Sequence, residues 1–261
     1  MTRFEDPPLL MHKRWAQASD DTNENRFEYK FDSKIMTKIK LLCFVMLLGT
    51  IQSSIGQHAD KREKLSIPPG KVGLIGYGSL MSRASMERTL GHPYTDKYFQ
   101  IHIKGYERIW NGIEPNDGII RSTIAYYVMI GDTIYPKRTV FLNIQANKSK
   151  LLNACLIIID SAELKLFDKR ELTYNRLNFS DKVQEFDIEN GNVYAYIAKP
   201  EFTIKLGDNI EDNIIFREYV KTVEEEALLS HGEKFRDEYY STTLPYSPKI
   251  LVSRNLKVVK K

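Results

Sequence analysis

Cysteine is almost missing from this chain of 261 residues: Cys43 and Cys155 are the only two, too few for a disulfide framework or a cysteine metal cluster. The five histidines lack the spacing of metal ligands. His92, His102 and His231 therefore read as structural or exposed residues, and neither a metal nor another cofactor is expected. The body of the chain holds no basic block: 38 basic residues barely exceed 34 acidic ones, and only Lys257 and Lys260-Lys261 cluster at the end. That argues against a nucleic-acid partner. Internal repeats and low-complexity tracts are absent as well. The apolar run from Leu41 to Ile51 falls short of the roughly 20 residues a membrane-crossing helix needs. What remains is 42% hydrophobic and 28% charged, ordinary for a globular fold and enough for one large domain or two small ones.

The apolar run has its own context. Met36-Thr37-Lys38-Ile39-Lys40 is a short basic start, and Ser54 and Gly56 stand three and one residues before Gln57. That is the anatomy of a secretory signal over 36–56, cleaved near Gly56-Gln57; an uncleaved membrane anchor and a buried core helix are the other readings. Residues 1–35 are polar, hold Pro7-Pro8 and the run Asp20-Asp21-Thr22-Asn23-Glu24-Asn25, and show no periodicity. The expectation is a disordered or spurious extension, with Met36 as the true start and an exported (periplasmic or secreted) product without a stable membrane span. A mature protein that retained residues 1–35 on N-terminal sequencing would exclude export. With the signal removed, Cys155 has no partner for a disulfide. Asn147-Lys148-Ser149 and Asn178-Phe179-Ser180 match the glycosylation sequon. Residues 57–70, charged and ending in Pro68-Pro69-Gly70, read as a linker. The domain follows over 71–246, with a tail over 247–261.

The stretch Val72-Gly73-Leu74-Ile75-Gly76-Tyr77-Gly78-Ser79-Leu80 organises the domain. A short apolar strand breaks at glycines, and Ser82 then caps a helix closed by Gly91 and Pro93. A strand passing through a glycine turn into a helix aims backbone N–H groups at one spot, where an anion can bind. Further on, β-branched, aromatic or alternating segments predict strands over 98–110, 119–130, 138–145, 151–160, 174–179, 182–188 and 192–198. The 151–160 run is apolar enough to be buried on both faces. A loop is expected over 111–118, and a turn at Glu189-Asn190-Gly191 joins the last two strands. A helix over 162–170 is capped by Ser161. From Glu211 the period turns helical, with Phe216, Val220, Val223 and Ala227 in register, and Gly232 separates a second helix ending near Thr242. The expected fold is α+β, a small mixed β-barrel or sheet with flanking helices.

The glycine turn fails three common motifs. Met81 stands where a dinucleotide fingerprint needs Gly or Ala, the Gly-Lys-Ser/Thr ending of a phosphate loop is missing, and no glycine follows Ser79 as a nucleophile elbow requires. Tyr77-Gly78-Ser79-Leu80 followed by Phe167-Asp168-Lys169-Arg170-Glu171 and Tyr174 instead resembles the γ-glutamylcyclotransferase-like family. There a Tyr-Gly-Ser-Asn/Leu loop holds the glutamyl head of the substrate, and a Leu-Asp-x-x-Glu segment carries the catalytic glutamate. Gly105-Tyr106-Glu107-Arg108 looks like that family's Gly-Tyr-x-Arg segment, and the stretch from Tyr219 through Gly232 to Thr243 resembles its C-terminal helices. The chain departs at Phe167 for leucine, at Leu172 and Asn153-Ala154-Cys155 where glycine is common, and over 247–261, which match nothing.

The resemblance implies a fold and a chemistry. Glu171 would be the general acid/base that cyclises a γ-glutamyl amine or peptide to 5-oxoproline. Tyr77, Gly78, Ser79, Leu80, Arg108, Tyr174 and Tyr196 would bind the small-molecule γ-glutamyl substrate, with Ser79 positioning rather than attacking. From the residues alone, Glu171 reads equally as a solvated charge at a helix end. Tyr194 and Tyr196 share one strand, and either could be a core residue. A non-catalytic γ-glutamyl or anion binder of the same fold is the alternative to an enzyme, and another acyl-transfer enzyme is a third reading.

Overall fold

The computed structural model describes residues 62–205, 212–247 and 250–258; the extension and signal expected over 1–56 lie outside them. Among the described residues no helix is long and apolar enough to cross a membrane. The strands are β1 (Glu63–Ser66), β2 (Lys71–Gly76), β3 (Phe99–Pro115), β4 (Thr123–Met129), β5 (Asp132–Ile134), β6 (Arg138–Asp160), β7 (Tyr174–Asn178), β8 (Phe186–Glu189), β9 (Val193–Ala198), β10 (Asn213–Phe216), β11 (Leu251–Val252) and β12 (Asn255–Val258). The helices are α1 (Arg83–Leu90), α2 (Leu164–Arg170), α3 (Arg217–Val220), which runs on into a π-helical turn (Lys221–Ala227), and α4 (Glu233–Ser241). A seven-stranded mixed sheet has the order β11-β10-β6-β2-β9-β7, with β3 also paired to β6. The fold is α+β.

Strand β2 lies inside this sheet, antiparallel to β6 and parallel to β9. Its side chains enter two cores. Leu74 packs with Met86, Leu90 and Phe167 under the helices, while Ile75 packs with Ile101, Leu156 and Ala195 on the other face. A strand buried on both faces must be apolar throughout, which is why Val72 to Ile75 shows no alternation. Each such side chain contributes about 1.5–3 kcal/mol by leaving water. At the start of α1 the Ser82 hydroxyl accepts from the Ser85 N–H, and at its end Gly91 takes φ 82°, the left-handed conformation that glycine adopts without strain.

Several expected boundaries move. The strands expected over 138–145 and 151–160 are one strand, β6, in which 147–150 bulge opposite Gly105 alone. The loop expected at 111–118 begins only after Pro115, because Gly112 sits at a bulge that keeps the β3 ladder running. Asp160, not Ser161, caps the turn that leads into α2, and the Glu163 carboxylate accepts its N–H at 3.1 Å. Glu189-Asn190-Gly191 does not close a hairpin, since β8 pairs with β1 and β9 with β2 and β7. Phe216 belongs to strand β10, in which Ile215 and Phe216 pair in parallel with β11 and Ile214 with β6. The linker expected over 57–70 contains β1, and the tail over 247–261 contributes β11 and β12, edge strands of two sheets.

His102 on β3 joins the sheet to α4. Its Nδ1 lies 2.6 Å from Glu185 and its Nε2 3.0 Å from Glu238. Two carboxylates facing both ring nitrogens favour the imidazolium, and the imidazole is accordingly raised above its usual value, chiefly by the Glu185 bond. The same contact lowers Glu185. A raised His stabilises most fully below its unfolded value of about 6.5 and less as pH rises through the folded value, whereas a lowered Glu stabilises above about 4.3. The gap in Tm between the wild type and His102→Gln is therefore expected to be widest near pH 5–6 and to narrow above pH 8. A gap that grew toward alkaline pH would show that the protonated ring is not the joint.

Candidate active site

The loop after β2 is fixed from both sides. A Cβ on Gly76 would meet the Leu80 carbonyl carbon at 2.8 Å, so only glycine lets the chain fold back onto the 3₁₀ turn Ser79–Met81. The Tyr77 hydroxyl donates to the Tyr196 carbonyl on β9. Behind the loop lies Arg108, fully buried. Its Nε donates to the Tyr77 carbonyl at 2.6 Å, Nη2 to the Asn153 carbonyl at 2.5 Å and Nη1 to the Thr243 hydroxyl at 2.9 Å. The Tyr239 ring stacks 4.4 Å below the guanidinium. Burial without a facing carboxylate lowers Arg108 to about 10. Arg108, expected to touch a ligand, is a strut beneath the loop and is not among the residues that border the cavity described below.

The opposite wall is the end of α2. Glu171 terminates that helix, its N–H donating to the Phe167 carbonyl at 2.8 Å. Its carboxylate pairs with Arg170 Nε at 3.0 Å, and the side chain is 17% exposed. Burial raises the Glu171 carboxyl above the usual carboxylate range; Arg170 and Arg121 pull it back, while Glu114 adds to the rise. Arg170 is a hub. It donates to the Ser79 hydroxyl at 2.7 Å, to the Thr89 hydroxyl at 2.6 Å and to the Ser85 carbonyl at 3.0 Å. A serine oxygen bound to a cation is poorly placed to act as a nucleophile, so Ser79 holds position.

Tyr174 and Tyr196 complete the floor. The Tyr174 hydroxyl donates to the Leu142 carbonyl at 2.9 Å, and the Tyr196 hydroxyl donates to Asp168 at 2.8 Å. Asp168 in turn accepts from Arg176 at 2.6 Å, so it anchors Tyr196 from outside the cavity. Tyr77, Gly78, Ser79, Leu80, Glu171, Tyr174 and Tyr196 all border one cavity of about 300 Å³. Other residues that border it and that were not expected at the site include Glu114, Arg121, Tyr219 and Arg254. Arg121 bonds Glu114 at 2.9 Å and the Arg170 carbonyl at 2.8 Å. The Tyr219 hydroxyl sits against the Gly78 position, where a Cβ would approach it to 3.1 Å. These four come from three separate parts of the chain, and Glu114, Arg121 and Arg254 carry no local motif. Among the described residues, no group of three or more His, Cys, Asp or Glu side chains is placed to hold a metal ion.

Tyr174 is kept in place by a missing side chain. A Cβ on Gly112 would lie 2.5 Å from the Tyr174 hydroxyl, closer than contact permits. Gly112→Ala is expected to push that hydroxyl off the Leu142 carbonyl and to destabilise the fold by about 1–3 kcal/mol. Tyr174→Phe removes the clashing oxygen, so the double variant should recover part of that loss in thermal denaturation. Strict additivity of the two changes would rule the contact out.

No protein-family model matches the chain, and no curated protein matches it in sequence. Among solved structures it is similar to a γ-glutamyl cyclotransferase, with 9% identity over 69% of this chain and 95% of the other and a TM-score of 0.43. It is also similar to two proteins of Arabidopsis thaliana solved in solution. One is 23% identical over 53% of this chain and 71% of its own, with a TM-score of 0.31. The other is 15% identical over 53% and 78%, with a TM-score of 0.30. In each case the likeness is one of fold.

Proposed function

We propose that the cavity takes the γ-glutamyl head of an amide or peptide and cyclises it to 5-oxoproline, releasing the amine. The observation that carries this reading is a half-buried carboxylate, Glu171, raised by burial and facing the loop 77–80 across one cavity. A γ-glutamyl head presents an α-carboxylate, an α-ammonium and a γ-amide. The cavity wall offers the matching charges, with Arg170 and Arg121 for the anion and Glu171 for the cation. Glu171 takes one proton from the ammonium, and the freed nitrogen attacks the γ-carbonyl carbon. The new C–N bond closes the five-membered ring and places negative charge on the carbonyl oxygen. The ring nitrogen sheds its second proton to solvent, collapse of the intermediate breaks the old amide bond, and Glu171 returns its proton to the departing nitrogen. Atoms and charges balance without oxidant, reductant or metal.

Because nucleophile and electrophile belong to one molecule, holding the head folded supplies much of the acceleration. The Met81 N–H is bonded to the Gly78 carbonyl at 2.9 Å, and the N–H groups of Ser79 and Leu80 at the start of the turn are the donors for the α-carboxylate or the developing oxyanion. The Arg170–Glu171 contact at 3.0 Å favours a second reading, since a paired carboxylate is a weaker base: a γ-glutamyl or anion binder without turnover. Quantifying 5-oxoproline after incubating the purified chain with a panel of γ-glutamyl peptides and amines separates the two. Product from at least one compound is expected. Binding of several with product from none would leave the binder, and neither binding nor product would discard both.

A further inference from the structure

A second cavity of about 240 Å³ adjoins the first, and Glu114, Arg121, Phe141, Phe216 and Arg254 line both. The two are therefore one cleft with a charged waist. We infer that the outer cavity is the subsite for the leaving half of the substrate, and that Arg254 selects amines bearing a carboxylate next to the scissile bond. This rests on the proposed cyclisation. The donors around the outer cavity are unequally committed. Asn116 is spent: its amide N–H groups reach the Ala125 and Pro136 carbonyls at 2.8 Å, and its oxygen accepts from the Ala125 N–H at 2.7 Å. Arg121 is engaged by Glu114 and by the Arg170 carbonyl.

Arg254 differs. It stands in the link between β11 and β12, held at its backbone N–H by the Glu218 carboxylate at 3.2 Å. Its guanidinium lies 5.5 Å from the Phe216 ring centre and makes no ion pair among the described residues. It thus keeps a planar fork of donors for a carboxylate, set over an aromatic face by a segment that two sheets hold in register. At the waist Arg121 is paired with Glu114 and the Glu218 carboxylate is bound to the Arg254 backbone, which leaves the Arg254 guanidinium without an ion pair among the described residues. In a γ-glutamyl amino acid one carbon separates the amide nitrogen from the next carboxylate, so that anion falls at the waist when the glutamyl head fills the inner cavity.

The test measures kcat/KM for 5-oxoproline release by the full chain from γ-glutamylglycine and from γ-glutamylmethylamide, which lacks the second carboxylate. A preference of about tenfold for the glycine compound is expected, the size of one charge-assisted contact. Arg254→Gln should collapse that ratio to about unity, and Arg254→Lys, which keeps the charge but not the fork, should retain part of it. Circular dichroism of each variant checks that the fold is kept, and the ratio is internal to one protein. Equal use of both compounds by the wild type, or an unchanged ratio in Arg254→Gln, overturns the carboxylate subsite alone. Turnover of neither compound overturns the subsite, whereas the cyclisation falls only if no γ-glutamyl compound of the wider panel yields 5-oxoproline.

Discussion

Glu171→Gln is expected to lower kcat for 5-oxoproline release by about 10²–10⁴-fold, the usual size of a lost general acid/base, while KM changes little. Glutamine preserves the shape of the side chain and can still accept from Arg170, but it cannot carry a proton between two nitrogens. The pH dependence adds a second readout. Burial raises the Glu171 carboxyl, so wild-type activity should fall, as the solution is acidified, at a higher pH than an ordinary carboxylate would give. That limb should vanish in the variant. Stability runs the other way. A carboxyl raised in the folded state favours folding below its unfolded value of about 4.3, and that benefit is lost as pH rises through the folded value. At pH 8 the ionised form therefore costs stability, and the neutral glutamine should melt no lower than the wild type. Undiminished product from Glu171→Gln would discard the mechanism. A large drop in Tm with residual activity in proportion would make Glu171 structural instead.

Arg108→Met is the second large effect, and it acts through the fold. Methionine fills much of the arginine's volume but strands the Tyr77 and Asn153 carbonyls, both now bonded to the guanidinium. Each orphaned buried acceptor costs about 1–3 kcal/mol, and relief of the guanidinium's own desolvation offsets part of this. A net loss of about 3 kcal/mol follows, or roughly 6–12 °C in Tm for a domain of this size. Because the Tyr77 carbonyl is where the loop is pinned, kcat should also fall, while the acid limb assigned to Glu171 stays at the same pH. Arg108→Lys, one ammonium in place of a fork, should fall between. Full activity in Arg108→Met would show that the loop holds its shape without the strut.

The inner strand, the glycine turn and helix α1 were legible because their signals are local: Val72 to Ile75 is apolar on both faces, Gly76 permits a close turn, and Ser82 and Gly91 cap. That Glu171 borders one cavity with the loop 77–80 was legible only through the family resemblance. The part Arg108 plays beneath the loop was not legible, because nothing near it in the chain reveals that its acceptors come from residues 77, 153 and 243. Residues 146–150 read as a break in β6 because they are polar, yet backbone pairing continues around them and needs no apolar side chain. Phe216 satisfied a helical period by coincidence, while its parallel neighbours lie in the segment taken for a tail. Arg170 was visible only as part of a charged run. Its three-way contact to residues 79, 85 and 89 depends on α1 and α2 lying side by side.

Strand β6 has a consequence for how the chain folds. It is partner to β2, β3 and β10 at once, so those strands cannot assemble into a sheet until the middle of the sequence is in place. The parallel pair β1–β8 joins residues as far as 125 positions apart. Little of this sheet closes through short hairpins, and the entropy of closing long loops is lost before the pairing rewards it. The expected kinetics are those of a slow, high-contact-order folder, with β6 exposed along both edges in the interval. That unpaired strand is where misassembly between chains would begin.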